Sequence, residues 1–145
     1  MEKKVPRGIR NNNPLNIKKG SSWKGLDLYL TNRESTFCVF KSPRWGFRAA
    51  FMLLRKYYNT YKLRDISSII RRWAPETENL TKAYINTVAQ SVSRSPFEEL
   101  PPLSSSHIDD WVNIALAMCW VENGGVPDSY VVEAQLGYNY MIWSK

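Results

Sequence analysis

Hydrophobic residues recur at the three- and four-residue spacing of amphipathic helices along most of this chain. The clearest stretch begins at Ser42-Pro43, where a capping residue is followed by proline at the first helical position, and continues for about 18 residues. A shorter helix begins at Asp65 and ends at Ala74-Pro75. Further helices are predicted over residues 80–93, 106–123 and 127–137.

One stretch departs from the helical pattern. In residues 26–30, Leu26, Leu28 and Leu30 point one way in an extended strand, and Asp27 and Tyr29 point the other. After a polar segment, Phe37 and Val39 oppose Cys38 and Phe40. Such alternation predicts a β-hairpin with its turn around residues 31–35 and Glu34 near the tip. No internal repeat or linker is visible, so we expect one domain over residues 1–145. Its predicted fold class is mainly α (α+β), with a small β-hairpin and a flexible leader over residues 1–6.

The segment between residues 7 and 25 is rich in turn-forming residues, among them Asn11, Asn12 and Asn13. Asparagine side chains in such segments often bond to their own backbone, which is a structural role. Alternatively, their amides face outward and bind the hydroxyl or acetamido groups of a ligand. The residues by themselves leave both interpretations open.

The helix predicted over residues 106–123, with Ser106 as its cap, delivers one carboxyl group, that of Glu122. Glu122 lies in the last turn, just before the stop at Asn123-Gly124. The negative end of the helix dipole and the neighbouring apolar residues both disfavour a charged carboxylate, so they raise its pKa. A carboxyl group that stays protonated near neutral pH can act as a general acid. The alternative is that Glu122 only faces solvent.

Composition adds a basic and aromatic character to this picture. The chain has 20 Lys and Arg against 13 Asp and Glu, a formal net charge of +7, and 13% aromatic residues. The charge favours a polyanionic partner such as nucleic acid, an anionic cell wall or a membrane surface. Aromatic side chains stack on sugar rings and on bases. Cys38 and Cys119 lie in apolar runs, which predicts buried thiols rather than a disulfide.

Other kinds of chemistry lack their sequence signals. His107 is the single histidine and no Cys/His cluster, phosphate loop or dinucleotide motif occurs, so we expect no metal and no cofactor. The N-terminus has no apolar run and no stretch is long enough to cross a membrane, so neither a signal peptide nor a membrane span is expected. We expect synthesis in the cytoplasm and, for an enzyme, access to the cell wall through a virion, a holin or a secretion machine.

The carboxyl groups suit hydrolysis of a glycosidic bond. That reaction needs a protonated carboxyl group that donates to the leaving oxygen, and a group on the far side that stabilises, attacks or deprotonates. Glu122 suits the first role. Glu34 suits the second if the predicted hairpin folds over the groove.

Residues 12–58 resemble the second half of a bacterial glucosaminidase domain of the lysozyme-like superfamily. The matching positions are Asn12, Asn13, Ile17, Lys18, Gly25, Glu34, Phe37, Phe40, Ser42, Leu53, Leu54 and Tyr57. Residues 114–125, IALAMCWVENGG, resemble the catalytic helix of that family, which there precedes the Asn-rich segment. The reversed order implies a circularly permuted lysozyme-like domain.

A fuller pattern, over residues 7–17, 37–49, 72–84 and 122–124, is similar to a family found among phage virion proteins and their prophage relatives. The resemblances imply Glu122 as general acid and Glu34 as second carboxylate. They also imply substrate binding by Asn12, Asn13, Asn16, Trp23 and Trp73. The candidate substrate-binding set is completed by Glu78 and Tyr84. Glu78 lies at a helix start that favours its ionised form, which suits a base or a structural cap. Tyr84 either faces the groove or packs in the core.

Three functional hypotheses follow. The first is cleavage of peptidoglycan glycan strands, as an N-acetylglucosaminidase, a muramidase or a lytic transglycosylase. The second is a non-catalytic phage virion or cell-wall-binding protein with a lysozyme-like fold. The third, a basic nucleic-acid-binding domain, is the least favoured because no recognition motif accompanies the charge.

Overall fold

A computed structural model describes residues 4–144 of the chain, and most of them are helical, as the hydrophobic pattern predicts. The helices are α1 Arg7–Arg10, α2 Leu28–Arg33, α3 Pro43–Asn59, α4 Ile66–Trp73, α5 Glu78–Ser91, α6 Ile108–Asn123 and α7 Tyr130–Ile142. The flexible leader predicted over residues 1–6 falls partly on residues 1–3, which lie outside the described residues.

The core is built around the pairing of α3 with α7. Gly137 lets the two helices approach closely, because a Cβ at this position would lie 2.7 Å from the Arg44 carbonyl oxygen and from the Phe47 Cβ. Phe51 packs edge-on against Tyr138, with ring centroids 5.0 Å apart. Burial of each large apolar side chain contributes about 1.5–3 kcal/mol. The predicted helix end at Gly137 is wrong, since α7 runs through this contact to Ile142.

Helices α3 and α4 begin at the residues that the sequence predicts, because a proline and a capping aspartate fix their first turns. Pro43 is the first residue of α3, and the Asp65 carboxylate accepts a hydrogen bond from the Ser68 backbone N–H at 2.7 Å before α4. Helix α5 begins slightly earlier than predicted, because Thr77 is its capping residue. The prediction that Ser106 caps α6 is wrong. Ser106 lies in a 3-10 turn, Ser105–His107, that leads into the helix.

The predicted β-hairpin over residues 26–40 is wrong. Its first half is the short helix α2, because the Asp27 carboxylate caps the segment by accepting a hydrogen bond from the Leu30 N–H at 2.9 Å. Leu28 and Leu30 are both exposed, so their alternation does not mark a buried strand face. Among residues 4–144, extended pairing is limited to two isolated antiparallel bridges, Lys18 with Phe37 and Leu26 with Phe40.

Both cysteines are buried free thiols, as predicted. Burial raises the pKa of the Cys119 thiol to about 12. Cys119 stands one helical turn before Glu122 in α6, so the glutamate projects from the end of a helix whose preceding turn is fixed in the core. This rigid support holds the carboxyl group in one place.

Candidate active site

The end of α6 positions Glu122. Gly124 follows the helix in the left-handed conformation, with φ of 73°, and its N–H bonds back to the Trp120 carbonyl at 2.7 Å. The carboxyl group therefore lies in the last turn of the helix, as the sequence predicts, and its residue is half-buried. The alternative of a glutamate that only faces solvent does not match this burial.

Two side chains hold the Glu122 carboxyl group. Asn16 Nδ2 donates to Oε1 at 3.0 Å, and the hydroxyl of Tyr84, in α5, donates to Oε2 at 3.0 Å. Each carboxyl oxygen thus has a different partner, one from the Asn-rich turn and one from a helix. Such a pair of bonds fixes the plane of the carboxyl group.

Burial raises the pKa of Glu122 above its ordinary value of 4.5, and the nearby charge of Glu76 raises it further. The hydrogen bonds from Asn16 and Tyr84 act in the opposite direction, but burial is the largest cause. Burial also raises the pKa of the Tyr84 hydroxyl well above its usual range, so this group stays protonated and remains a donor. The arrangement favours a protonated Glu122 at higher pH than an ordinary glutamate.

Asn16 can bond to either protonation state of Glu122. Within residues 4–144 its Oδ1 atom is buried and has no hydrogen-bond partner, while Nδ2 donates to the carboxylate. If the amide turns over, Oδ1 can accept a hydrogen bond from a protonated carboxyl group. Asn16 itself has a positive φ of 55°, a conformation that asparagine adopts more readily than most residues.

The turn that carries Asn16 is packed tightly against the end of α6. Asn123 Nδ2 donates to the Pro14 carbonyl at 2.8 Å. Gly8 lies beside this contact, and a Cβ there would come within 2.8 Å of Asn16 Oδ1 and 2.9 Å of the Asn13 carbonyl oxygen. A glycine is therefore needed for the turn to reach the helix end.

Glu122 and Asn16 line neighbouring pockets. The first, here the Glu122 pocket, has a volume of about 380 Å³ and is lined by Ala74, Glu76, Leu80, Ala83, Tyr84, Thr87, Trp120, Val121, Glu122 and Gly124. The second, here the Trp73 pocket, has about 370 Å³ and is lined by Asn16, Ile17, Lys18, Ser21, Trp23, Leu53, Tyr57, Arg72, Trp73 and Pro75. Asn16 in the second pocket bonds to Glu122 in the first, and residues 73–76 contribute to the two linings in alternation. Each volume is in the range of small-ligand sites.

The structure brings four of the predicted substrate-binding residues to these pockets. Asn16, Trp23 and Trp73 line the Trp73 pocket, and Tyr84 lines the Glu122 pocket. The Trp73 indole N–H donates to the Leu15 carbonyl at 3.3 Å, which fixes the orientation of the ring. Tyr84 is largely buried, so it combines core packing with its bond to Glu122.

Asn12 and Asn13 have structural partners instead. Asn13 is fully buried, and its Nδ2 donates to the carbonyls of Ile17 and Cys38 at 2.9 and 3.0 Å. Asn12 Nδ2 donates to the Phe40 carbonyl at 3.1 Å. These bonds use both amide N–H groups of Asn13 and one of the two of Asn12, so the amide of Asn13 has no donor left for a ligand.

Glu34 lies away from the Glu122 pocket, in a separate pocket with Arg10, Asn11, Leu30, Arg33 and Val39. Its carboxylate forms an ion pair with Arg7 and accepts a hydrogen bond from Asn11 Nδ2 at 3.1 Å. The Arg7 guanidinium, assisted by Asn11, lowers the pKa of Glu34 to about 2. The structure does not place the two glutamates in one pocket.

Glu78 is exposed at the start of α5, where Arg71 pairs with it at 3.2 Å. It does not belong to the lining of the Glu122 pocket, to which the neighbouring loop contributes Glu76.

Several pocket residues were not among the predicted site residues, and five of these are charged or aromatic: Lys18, Tyr57, Arg72, Glu76 and Trp120. Glu76 and Trp120 line the Glu122 pocket, and Trp120 is 54% exposed although it lies within an apolar helix. Arg72 lines the Trp73 pocket. The position of Trp120, two residues before Glu122 and off the buried stripe of α6, is the one signal in the sequence that could have indicated an exposed aromatic side chain.

Within residues 4–144, no group of three or more His, Cys, Asp or Glu side chains is arranged to hold a metal ion. In the same range, no helix combines the length and the apolar character needed to cross a bilayer.

The fold and the site define a small, mainly helical protein in which one half-buried carboxyl group lies at the boundary of two pockets. No family model matches the sequence. The chain is 42% identical over 131 residues to Protein P5 of Pseudoalteromonas phage PM2, and the match covers 86% of this chain and 75% of that protein. It belongs to the family of this phage protein.

Proposed function

We propose that this phage-related protein cleaves the glycan strands of peptidoglycan, with Glu122 as its general acid. The single observation that carries the proposal is the hydrogen-bonded, half-buried Glu122 carboxyl group, whose pKa is raised and which opens onto a pocket. A protonated carboxyl group held in a fixed plane can donate to a glycosidic oxygen. Aromatic residues in both pockets offer surfaces on which sugar rings stack.

The resemblance to the lysozyme-like superfamily gains support from one contact. Asn16, in the segment that follows the catalytic helix in that superfamily, bonds to Glu122 on a helix that comes 106 positions later in this chain. In a circularly permuted domain this contact joins the same two elements in reversed sequence order. We therefore propose a lysozyme-like arrangement of the site.

The proposed mechanism uses one protein carboxyl group. Glu122 gives its proton to the glycosidic oxygen as the bond from the anomeric carbon to that oxygen breaks. The acetamido oxygen of the substrate itself stabilises the anomeric carbon from the opposite face, because Glu34 is held by Arg7 in another pocket. The Glu122 carboxylate then takes a proton from the hydroxyl group that attacks the anomeric carbon, either of water or of the sugar.

The test is the release of soluble fragments from purified peptidoglycan, followed by mass spectrometry. Fragments from the natural chain and their loss in Glu122→Gln support the proposal. Reducing-end sugars identify hydrolysis, whereas an internal anhydro ring identifies transglycosylation. Equal release by both forms would remove Glu122 from the mechanism. Binding to peptidoglycan without any released fragment would instead support the non-catalytic virion or wall-binding role.

A further inference from the structure

The two pockets that meet at the Asn16–Glu122 pair differ in charge. The Trp73 pocket contains two cationic side chains, Lys18 and Arg72, and no acidic residue in its lining. The Glu122 pocket contains Glu76 beside Glu122 and no basic residue in its lining. A ligand that crosses the boundary between them therefore meets a positive and a negative environment in turn.

The Arg72 guanidinium packs against aromatic rings and not against a carboxylate. Its guanidinium lies 4.0 Å from the ring centroid of Tyr61 and 5.3 Å from that of Tyr57. Among residues 4–144, neither Arg72 nor Lys18 takes part in an ion pair, whereas the adjacent Arg71 pairs with Glu78 at 3.2 Å. The charge of Arg72 is therefore available to an anion from outside the chain.

The same pocket has walls suited to a sugar ring. Trp73 packs edge-on against Tyr57, with ring centroids 6.0 Å apart, and Trp23 contributes a second indole ring. Aromatic faces next to a guanidinium match a sugar that carries a carboxylate, because the ring stacks while the carboxylate accepts hydrogen bonds.

We propose that the Trp73 pocket binds the carboxylate-bearing sugar of the glycan strand, with Arg72 and Lys18 as the residues that recognise its carboxylate. The carboxylate belongs to the peptide attached to that sugar, because the lactyl carboxyl group is itself part of the amide bond that joins the peptide to the sugar. The neutral N-acetylated sugar then occupies the Glu122 pocket, where Glu76 repels a carboxylate. The choice of ligand rests on the proposed function, and the recognition itself does not require turnover.

The test measures binding by calorimetry in the Glu122→Gln background, so that no substrate is consumed. Two probes are compared, a purified peptidoglycan disaccharide peptide and the same fragment with every carboxyl group converted to an amide. Arg72→Gln is expected to weaken binding of the acidic fragment about 10-fold, through the loss of a charge-assisted hydrogen bond, and to leave the amidated fragment unchanged. Lys18→Gln is expected to act in the same direction, less strongly, because a lysine ammonium cannot form the bidentate hydrogen bonds of an arginine guanidinium.

The matched control is Arg71→Gln. It removes the same charge at the adjacent position, where the arginine already pairs with the Glu78 carboxylate. It is expected to change neither affinity. Equal weakening of both probes by Arg72→Gln, no weakening of either, or no binding of the acidic fragment at all would overturn the inference. If Arg72-dependent binding is found while the natural chain releases no fragments from peptidoglycan, the proposed catalysis fails and this recognition stands.

Discussion

Asn16 and Glu122 lie 106 positions apart in the sequence, and Asn16 Nδ2 donates to Glu122 Oε1 at 3.0 Å. The bond links the Asn-rich turn near the start of the chain to the last turn of α6. Tyr84 reaches the other carboxyl oxygen from α5. Three distant segments therefore meet at one carboxyl group, and each can be tested by a single substitution.

Glu122→Gln is expected to lower the rate of fragment release from peptidoglycan by about 100-fold to 10,000-fold, which is the usual contribution of a general acid. The amide has nearly the same shape but no proton to transfer at the required acidity. The rate is measured with purified peptidoglycan under initial-rate conditions. Glu99→Gln is the control, because this glutamate is exposed and lies 3.9 Å from Arg64. A similar loss in both variants would point to a general effect on the protein.

The stability of the natural chain relative to Glu122→Gln is expected to fall as the pH rises above 4.5. Folding raises the pKa of Glu122 above its ordinary value of 4.5. At a pH between 4.5 and the pKa of the folded state, Glu122 is therefore protonated in the folded state and ionised in the unfolded state. The stabilising contribution is present below 4.5 and is lost as the pH rises through the folded pKa. Denaturant unfolding of both forms from pH 4 to pH 8 measures the difference. A difference that stays constant across this range would contradict a raised pKa.

Tyr84→Phe is expected to move the alkaline limb of the pH–rate profile to higher pH. The hydrogen bond from the Tyr84 hydroxyl lowers the pKa of Glu122. Its removal raises that pKa, so Glu122 stays protonated up to a higher pH. The free energy of unfolding is expected to fall by about 1–2 kcal/mol through the lost bond. Tyr29→Phe, at an exposed tyrosine, is the control. An unchanged alkaline limb would show that the hydroxyl does not tune Glu122.

Glu34→Gln is expected to lower stability at pH 7 and to leave activity intact below the melting temperature. The lost ion pair costs about 1–2 kcal/mol, since Arg7 is 40% exposed and water screens the pair. The pKa of Glu34 is lowered to about 2, so its contribution is present above 4.5 and is lost as the pH falls towards 2. Loss of activity in a fully folded Glu34→Gln variant would instead support Glu34 as the second carboxylate of the reaction.

Gly8→Ala is expected to destabilise the protein by about 1–3 kcal/mol, because the new methyl group would overlap the side chain of Asn16 and the backbone of Asn13. Displacement of Asn16 also weakens its bond to Glu122, so activity is expected to fall. Thermal unfolding and fragment release are measured together. Gly125→Ala is the control, since a Cβ there meets no atom within 4 Å. Equal melting temperatures for both variants would contradict the tight packing of the turn.

The helical body and the key carboxyl group could be predicted from sequence because both depend on local signals. Pro43 and Asp65 start helices through bonds within a few residues, and Gly124 ends α6 beside Glu122. The hairpin prediction is wrong because the leucine alternation in residues 26–30 favours a strand with one buried face, whereas Leu28 and Leu30 are exposed and Asp27 caps a short helix there. A local cap outweighed a short alternating pattern.

The sequence by itself determined the five longer helices, the buried thiols and the position of Glu122 at a helix end, since periodicity and caps act over a few residues. Only the tertiary structure decided which partners surround that carboxyl group. It brought Asn16 and Tyr84 to Glu122, assigned Asn13 to the core and held Glu34 with Arg7 in another pocket. Such choices depend on packing between segments that are far apart in the chain, and no local pattern records the distance between two side chains that meet only after folding.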